Sequence, residues 1–268
     1  RTDTAATEQA DGLAQLGLPH NLAVRSIKAV HVAVPGTNHD QWESLSCLQA
    51  VAGKTSFQHL VDCVAALSPE GISFIGVDAT RDKGIDNFLQ STKSLGIEHE
   101  LVRISGALKK EDGATATLLI RGDMPLTEGE TLLKLVGQHR LTDTDMTVLT
   151  VRAKGTAIGL PVSRRNGRIL GISSQLNAVN PHGTEELAVG IYATDTNAMI
   201  DALENSKVPS SSDFTAGMAA LSYQAKDSIV DAFQISEASE VEPLRDRISL
   251  ANLNAISRNK IRKQHMNN

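Results

Sequence analysis

The alternation of short apolar runs with helical patterns between residues 27 and 140 does most to limit what this chain can fold into. IKAVHVAV at 27–34 and ISFIGV at 72–77 read as buried strands, residues 100–104 as a third and residues 115–120 as a fourth. Residues 54–67 carry Phe57, Leu60, Val61, Val64 and Leu67 at helical spacing. Residues 83–95 carry Ile85, Phe88, Leu89 and Leu95 ahead of Gly96 in a C-capping position, and residues 129–140 carry Leu132, Leu133, Leu135 and Val136. Apolar strands joined by helices need cover on both faces, so the fold class is α/β with a mixed, mostly parallel sheet.

The second half has a different rhythm. Residues 146–152, 168–172, 187–193 and 228–235 read as strands, and residues 197–203 and 214–225 as helices. Residues 244–263 read as one long helix with Leu244, Ile248, Leu253 and Ile256 on a common face and a basic end, RNKIRK, whose charges suit a helix C-terminus. No Pro/Gly-rich hinge divides the chain. The expected organisation is an arm at 1–24, one domain at 25–243, and a C-terminal helix with a basic tail at 244–268. The arm is a candidate for contact with a partner.

Composition excludes several classes. The 268 residues are 41% hydrophobic and 21% charged, which suits a globular chain and not a disordered or fibrous one. A net charge of −5 argues against a surface devoted to nucleic acid. Cys47 and Cys63 are too few and too far apart for a disulfide framework or a zinc cluster, and are expected to be reduced and buried. No apolar run approaches the roughly 18 residues that cross a bilayer, and there is no signal-peptide core. The expectation is a soluble protein, cytoplasmic or organellar after presequence removal, since the chain starts at Arg1 and not at Met.

TLLIRGDMPL at 117–126 carries the chemical interest. A buried strand ending in Gly-Asp at the carboxyl edge of a parallel sheet is a natural seat for a metal-bound phosphate. The strings RGDMPLTEGETLLKLVGQHR, TVLTVR, NGRILGISSQ, VGIYATD and EVEPLRDRISLANL follow in order, with VAGKTSFQHLVDCVAALSPEGISFIGV upstream. In that order and spacing, residues 26–265 resemble the N-terminal uridyltransferase domain of bacterial bifunctional N-acetylglucosamine-1-phosphate uridyltransferase. The resemblance implies a Rossmann-like GT-A nucleotidyltransferase fold. It does not extend to the family's second domain, a left-handed β-helix, so acetyltransferase activity is not implied.

The resemblance also assigns positions, and many depart from the family pattern. Pro35, Gly36 and Thr37 match its nucleotide-binding loop, but Val34 replaces a glycine there. The family's loop arginine falls on Asn38 and its lysine on Ser46, and no Arg or Lys occurs from 38 to 53. Such cations stabilise the charge that develops as pyrophosphate leaves. Asp123 matches the metal-binding aspartate, whereas the second metal ligand falls on Arg245, a cation that repels Mg²⁺. Sugar-binding positions fall on Ser174 and Ala188. The segment between Ile104 and Thr115, where the family holds uracil, is short. Val34, Leu176 and Ala188 imply a smaller, more apolar pocket.

Local features have bland readings beside the sharp ones. Asn38-His39-Asp40 is a solvated loop or an acid-base cluster; Trp42 pins that loop or anchors a partner. Arg121-Gly122-Asp123 is a chance tripeptide or an adhesion motif. The basic run 258–263 is a helix end or an anionic contact, and Asp123 holds a metal or bonds nearby backbone. Two function classes follow. One is a noncatalytic nucleotidyltransferase-like scaffold or regulatory subunit without cofactor, held in a larger protein assembly. The other is a divergent Mg²⁺-dependent sugar-1-phosphate nucleotidyltransferase in which other cations, Lys54 or Arg164, serve the phosphates. A sugar-nucleotide sensor is a weaker third.

Overall fold

The structure is a computed structural model that describes residues 27–34, 49–65, 67, 71–76, 99–102, 116–142, 144–154, 158–172, 184–195, 197 and 229–267. Among these, in chain order, lie β1 (Ile27–Val34), β2 (Ala50–Val51), β3 (Lys54–Thr55), α1 (Ser56–Ala65), β4 (Gly71–Gly76), β5 (His99–Val102) and β6 (Ala116–Arg121). There follow α2 (Gly129–Thr142), β7 (Met146–Lys154), β8 (Leu160–Arg165), β9 (Arg168–Ile172), β10 (Thr184–Asp195) and β11 (Val230–Ile235). A 3-10 turn at Ala238–Val241 and α3 (Arg247–Asn267) complete the order.

The main sheet has nine strands in the order β11-β7-β10-β6-β1-β4-β5, with β8 beside β10 and β9 beside β8. Pairings β1 to β4, β1 to β6, β4 to β5 and β7 to β11 are parallel. Strand β10 runs antiparallel to β6, β7 and β8. Strand β8 is likewise antiparallel to β9, so four of the eight pairings are parallel and four antiparallel; the sheet is mixed, and seven of its nine described strands point the same way, as the alternating pattern predicts. From β1 the chain moves outward through β4 and β5, then returns to the other side of β1 with β6. That reversal makes the carboxyl ends of β1 and β6 the topological switch point, where open α/β sheets bind ligands.

Alternation along the strands divides the core into two layers. Leu118 and Ile120 of β6, Leu149, Val151 and Ala153 of β7, and Leu187, Val189, Ile191 and Ala193 of β10 pack with α1 and α2. Phe57, Leu60, Val61 and Val64 supply the α1 face, and Leu132, Leu135 and Val136 the α2 face. Each such side chain contributes about 1.5–3 kcal/mol by leaving water. Leu119, Met146, Val148, Ala188 and Tyr192 point to the opposite layer. Strand β10 bends at Gly190, whose φ is +83°, and its register to β7 shifts between Ala188 and Tyr192. A glycine inside a strand pattern is the usual mark of such a bulge.

Several expectations need correction. The helix expected from residue 54 begins at Ser56, because Lys54–Thr55 pairs with Ala50–Val51 across a turn at Ala52 and Gly53. Thr55 and Gln58 form a reciprocal cap, each accepting the other's backbone N–H through its side chain. Strand β8 was not expected at all; it forms a hairpin with β9 through Asn166 and Gly167, both at positive φ. Helix α3 starts at Arg247, not 244, so Leu244 precedes it and Ile248 is 74% exposed instead of facing the core. Buried Leu244 and Leu253 instead pack with Val51 and Leu126. The helix also continues past the basic run to Asn267, so the charges at 258–263 lie before the last turn, and Lys260 pairs with Glu128 at 2.7 Å. The expected helices at 83–95, 197–203 and 214–225 lie outside the described residues, save Asn197.

Candidate functional site

Strand β6 ends at Arg121, beside Ala33 of β1, so the turn Gly122–Asp123 emerges at the switch point of the sheet. Three elements converge on it. The hydroxyl of Ser56, the first residue of α1, donates to the Gly122 carbonyl at 2.8 Å. The backbone N–H of Leu244 donates to the Asp123 carbonyl at 2.7 Å. The segment leading into α3 is thereby placed against the turn after β6, which brings the Asp123 and Arg245 positions into one neighbourhood.

The Asp123 side chain is buried, at 3% exposure, and it is engaged by Arg121. Arg121 Nε donates to Oδ1 at 3.0 Å and Nη2 to Oδ2 at 2.6 Å, a two-point fork between a guanidinium and a carboxylate. Arg121 closes β6 two residues before Asp123, and its long side chain spans the turn to the carboxylate. This contact also removes the adhesion reading of the tripeptide, because its aspartate is not displayed to solvent. Arg245 is exposed, and its backbone N–H donates to Ser249 Oγ at 2.9 Å. Asp246 caps α3: Ser249 N–H donates to its carboxylate at 2.7 Å. That bond, with those from the Ser249 side chain and Ile248, holds the Asp246 carboxyl below its ordinary value.

Mg²⁺ prefers octahedral oxygen donors and keeps several waters. The described donor set does not suit it: one buried carboxylate already forked to an arginine, two turn carbonyls already accepting hydrogen bonds, and an arginine, Arg245, where the resemblance would put the second ligand. Among the described residues, no group of three or more His, Cys, Asp or Glu is placed to hold a metal.

The cations nominated as replacements are engaged elsewhere. Lys54 pairs with Asp62 at 2.6 Å. Arg164 donates through Nε and Nη2 to Glu186, each at 2.6 Å, and through Nη1 to the Gly167 carbonyl at 2.7 Å. Hydrogen bonding to Arg164, aided by Thr150, holds the Glu186 carboxyl down. Ala188, to which the resemblance assigns a sugar-binding position, is buried in β10 with Leu119 and Tyr192 and offers only a methyl group. Pro35, Gly36, Thr37, Asn38, His39, Asp40, Trp42, Ser46, Cys47, Ser174 and Leu176 lie outside the described residues.

Two residues that the sequence reading passed over shape the surroundings. Arg121 stands two residues before Asp123, and that short spacing of opposite charges is a signal of the pair. Glu240, 5% exposed, accepts the Glu128 N–H at 3.0 Å at the start of α2, and burial pushes its carboxyl up. Cys63 lies close by, half-buried, its thiol pushed up to about 12 by burial and by the charges of Glu240, Glu128 and Asp62. A thiol so protonated is a poor nucleophile.

Comparison with known proteins agrees with this architecture. The bifunctional protein GlmU of Bacillus thuringiensis (strain Al Hakam) and that of Bacillus anthracis are each 29% identical to the chain over 233 residues, 82% of its length. The chain is a homologue of GlmU. It spans about half the length of these relatives, 50% of each, in keeping with the resemblance to the uridyltransferase domain. No family model matches. Among solved structures, a putative glucose-1-phosphate thymidylyltransferase from Bacillus anthracis aligns over 86% of this chain and 95% of its own, with TM-score 0.64 and 15% identity. A CMP:2-keto-3-deoxy-manno-octonic acid synthetase complexed with CTP aligns over 87% and 99%, with TM-score 0.62 and 14% identity. The fold is thus the Rossmann-like GT-A fold of the nucleotidyltransferases. No helix among the described residues is long and apolar enough to cross a membrane.

Proposed function

We propose that this chain is a noncatalytic nucleotidyltransferase-like protein that serves as a scaffold or regulatory subunit in a protein assembly. The observation that carries the reading is the fork between Arg121 and Asp123: the one retained acidic metal position is bound to the side chain that ends the preceding strand. Asn38 and Ser46 at the loop's cation positions and Arg245 at the second metal position support it. So do the ion pairs that engage Lys54 and Arg164. On this reading no cofactor is needed, and the arm at 1–24, the Trp42 loop and α3 are the surfaces offered to partners.

The competing reading is a divergent Mg²⁺-dependent transferase joining a nucleoside triphosphate to a sugar 1-phosphate. Its support is the homology to GlmU and the preserved placement of Asp123 at the switch point. Steady-state pyrophosphate release with Mg²⁺, a panel of nucleoside triphosphates and N-acetylglucosamine 1-phosphate separates the two. The scaffold reading expects no release above the protein-free rate; sustained release with any pair of substrates overturns it.

A further inference from the structure

We infer that Arg121 is the built-in counter-cation of Asp123, which closes the Gly122–Asp123 turn without metal and makes it reject divalent ions. The inference rests on the noncatalytic reading and deepens it, since it names the residue that keeps the old metal position shut. Three observations carry it. Both Asp123 carboxylate oxygens accept from the guanidinium, at 3.0 and 2.6 Å, in a side chain only 3% exposed. The two backbone oxygens of the turn are also engaged, Gly122 by Ser56 and Asp123 by Leu244. A hydrated ion must therefore compete with a donor already bound at each of these four oxygens. Along the chain, Arg245 directly follows the residue that docks on Asp123, and the exposed Asp246 follows Arg245 and interacts with its charge. A divalent ion must displace a guanidinium that has a matched geometry and then sit beside its positive charge.

The test is Mn²⁺ binding, by electron paramagnetic resonance of the free ion, to the wild type, Asp123→Asn, Arg121→Leu and the double variant Arg121→Leu/Arg245→Asn. The wild type and Asp123→Asn are expected to bind equally weakly. The double variant is expected to bind at least about tenfold more tightly, the effect of relieving about 1.4 kcal/mol of repulsion, and Asp123→Asn added to it removes the gain. Wild-type binding that Asp123→Asn abolishes overturns the inference, as does a folded double variant with no gain. If the leucine variants do not fold, the wild-type and Asp123→Asn comparison still decides, because equality supports the counter-cation and a loss refutes it. Wild-type Mn²⁺ binding that Asp123→Asn abolishes, without pyrophosphate release, refutes the counter-cation alone. Pyrophosphate release refutes the noncatalytic reading.

Discussion

Replacing Glu240 tests how α2 is anchored beside the site. Its carboxylate accepts the Glu128 N–H at the helix start, 112 residues away in sequence, in a setting only 5% exposed. Glu240→Ala deletes that acceptor and leaves a donor short of its partner. A hydrogen bond to a charged group is worth about 1.5–3 kcal/mol, and the desolvation that pushes the carboxyl up offsets part of it, so a loss of about 2 kcal/mol is expected. Glu240→Gln keeps an oxygen in place and is expected to cost under about 1 kcal/mol at neutral pH. The pH dependence has a definite sign. With the folded carboxyl raised above its unfolded value of about 4.3, its contribution is full below that value and declines as pH rises through the folded pKa. Wild type should therefore gain on Glu240→Gln as pH falls from 8 to 4. Urea unfolding followed by circular dichroism across that range reads both effects. Equal costs for alanine and glutamine, or a wild-type advantage that grows as pH rises, refutes the reasoning.

Other parts of the fold carry their own tests. Arg164→Ala leaves Glu186 and the Gly167 carbonyl without their donors and should cost about 1–3 kcal/mol in urea unfolding at pH 7. Because Glu186 is held below its ordinary value, that cost should shrink as pH falls through the folded pKa of the carboxyl. Gly159→Ala places a methyl carbon 2.2 Å from the Ala188 carbonyl oxygen of β10 and should lower stability by about 1–3 kcal/mol; a neutral effect contradicts the close approach of these backbones. In a Cys47→Ser background, Cys63 should resist iodoacetamide at pH 8 in the native state and react quickly in urea. Rapid native alkylation contradicts a thiol raised to about 12.

The sheet was legible where burial on both faces leaves continuous apolar runs, as in β6, β7 and β10, and the apolar faces of α1 and α2 followed from spacing alone. Strand β8 was missed because it contains Pro161 and none of its described side chains is fully buried, so neither alternation nor an apolar run marks it. Its Asn166-Gly167 turn was nonetheless a hairpin signal. The start of α1 was written in Thr55 and Gln58 as a capping pair, and the start of α3 in Asp246 and Ser249. Extending α3 back to Leu244 put Ile248 on the wrong face, since four-residue spacing means nothing across a helix boundary. At the site, the position of Asp123 could be read from strand order. Its pairing with Arg121 was decided by burial, which makes an unpaired carboxylate too costly there and favours the guanidinium two residues before it.

The central claim, that this nucleotidyltransferase fold no longer performs the transfer, is tested most directly by a single turnover. Protein in excess over radiolabelled UTP, with Mg²⁺ and saturating N-acetylglucosamine 1-phosphate, would be followed for hours beside Asp123→Ala. The account predicts that neither protein forms labelled sugar nucleotide above the protein-free control. Product formed by the wild type and lost in Asp123→Ala would contradict it, and would make Asp123 a working metal ligand despite the arginine that holds it.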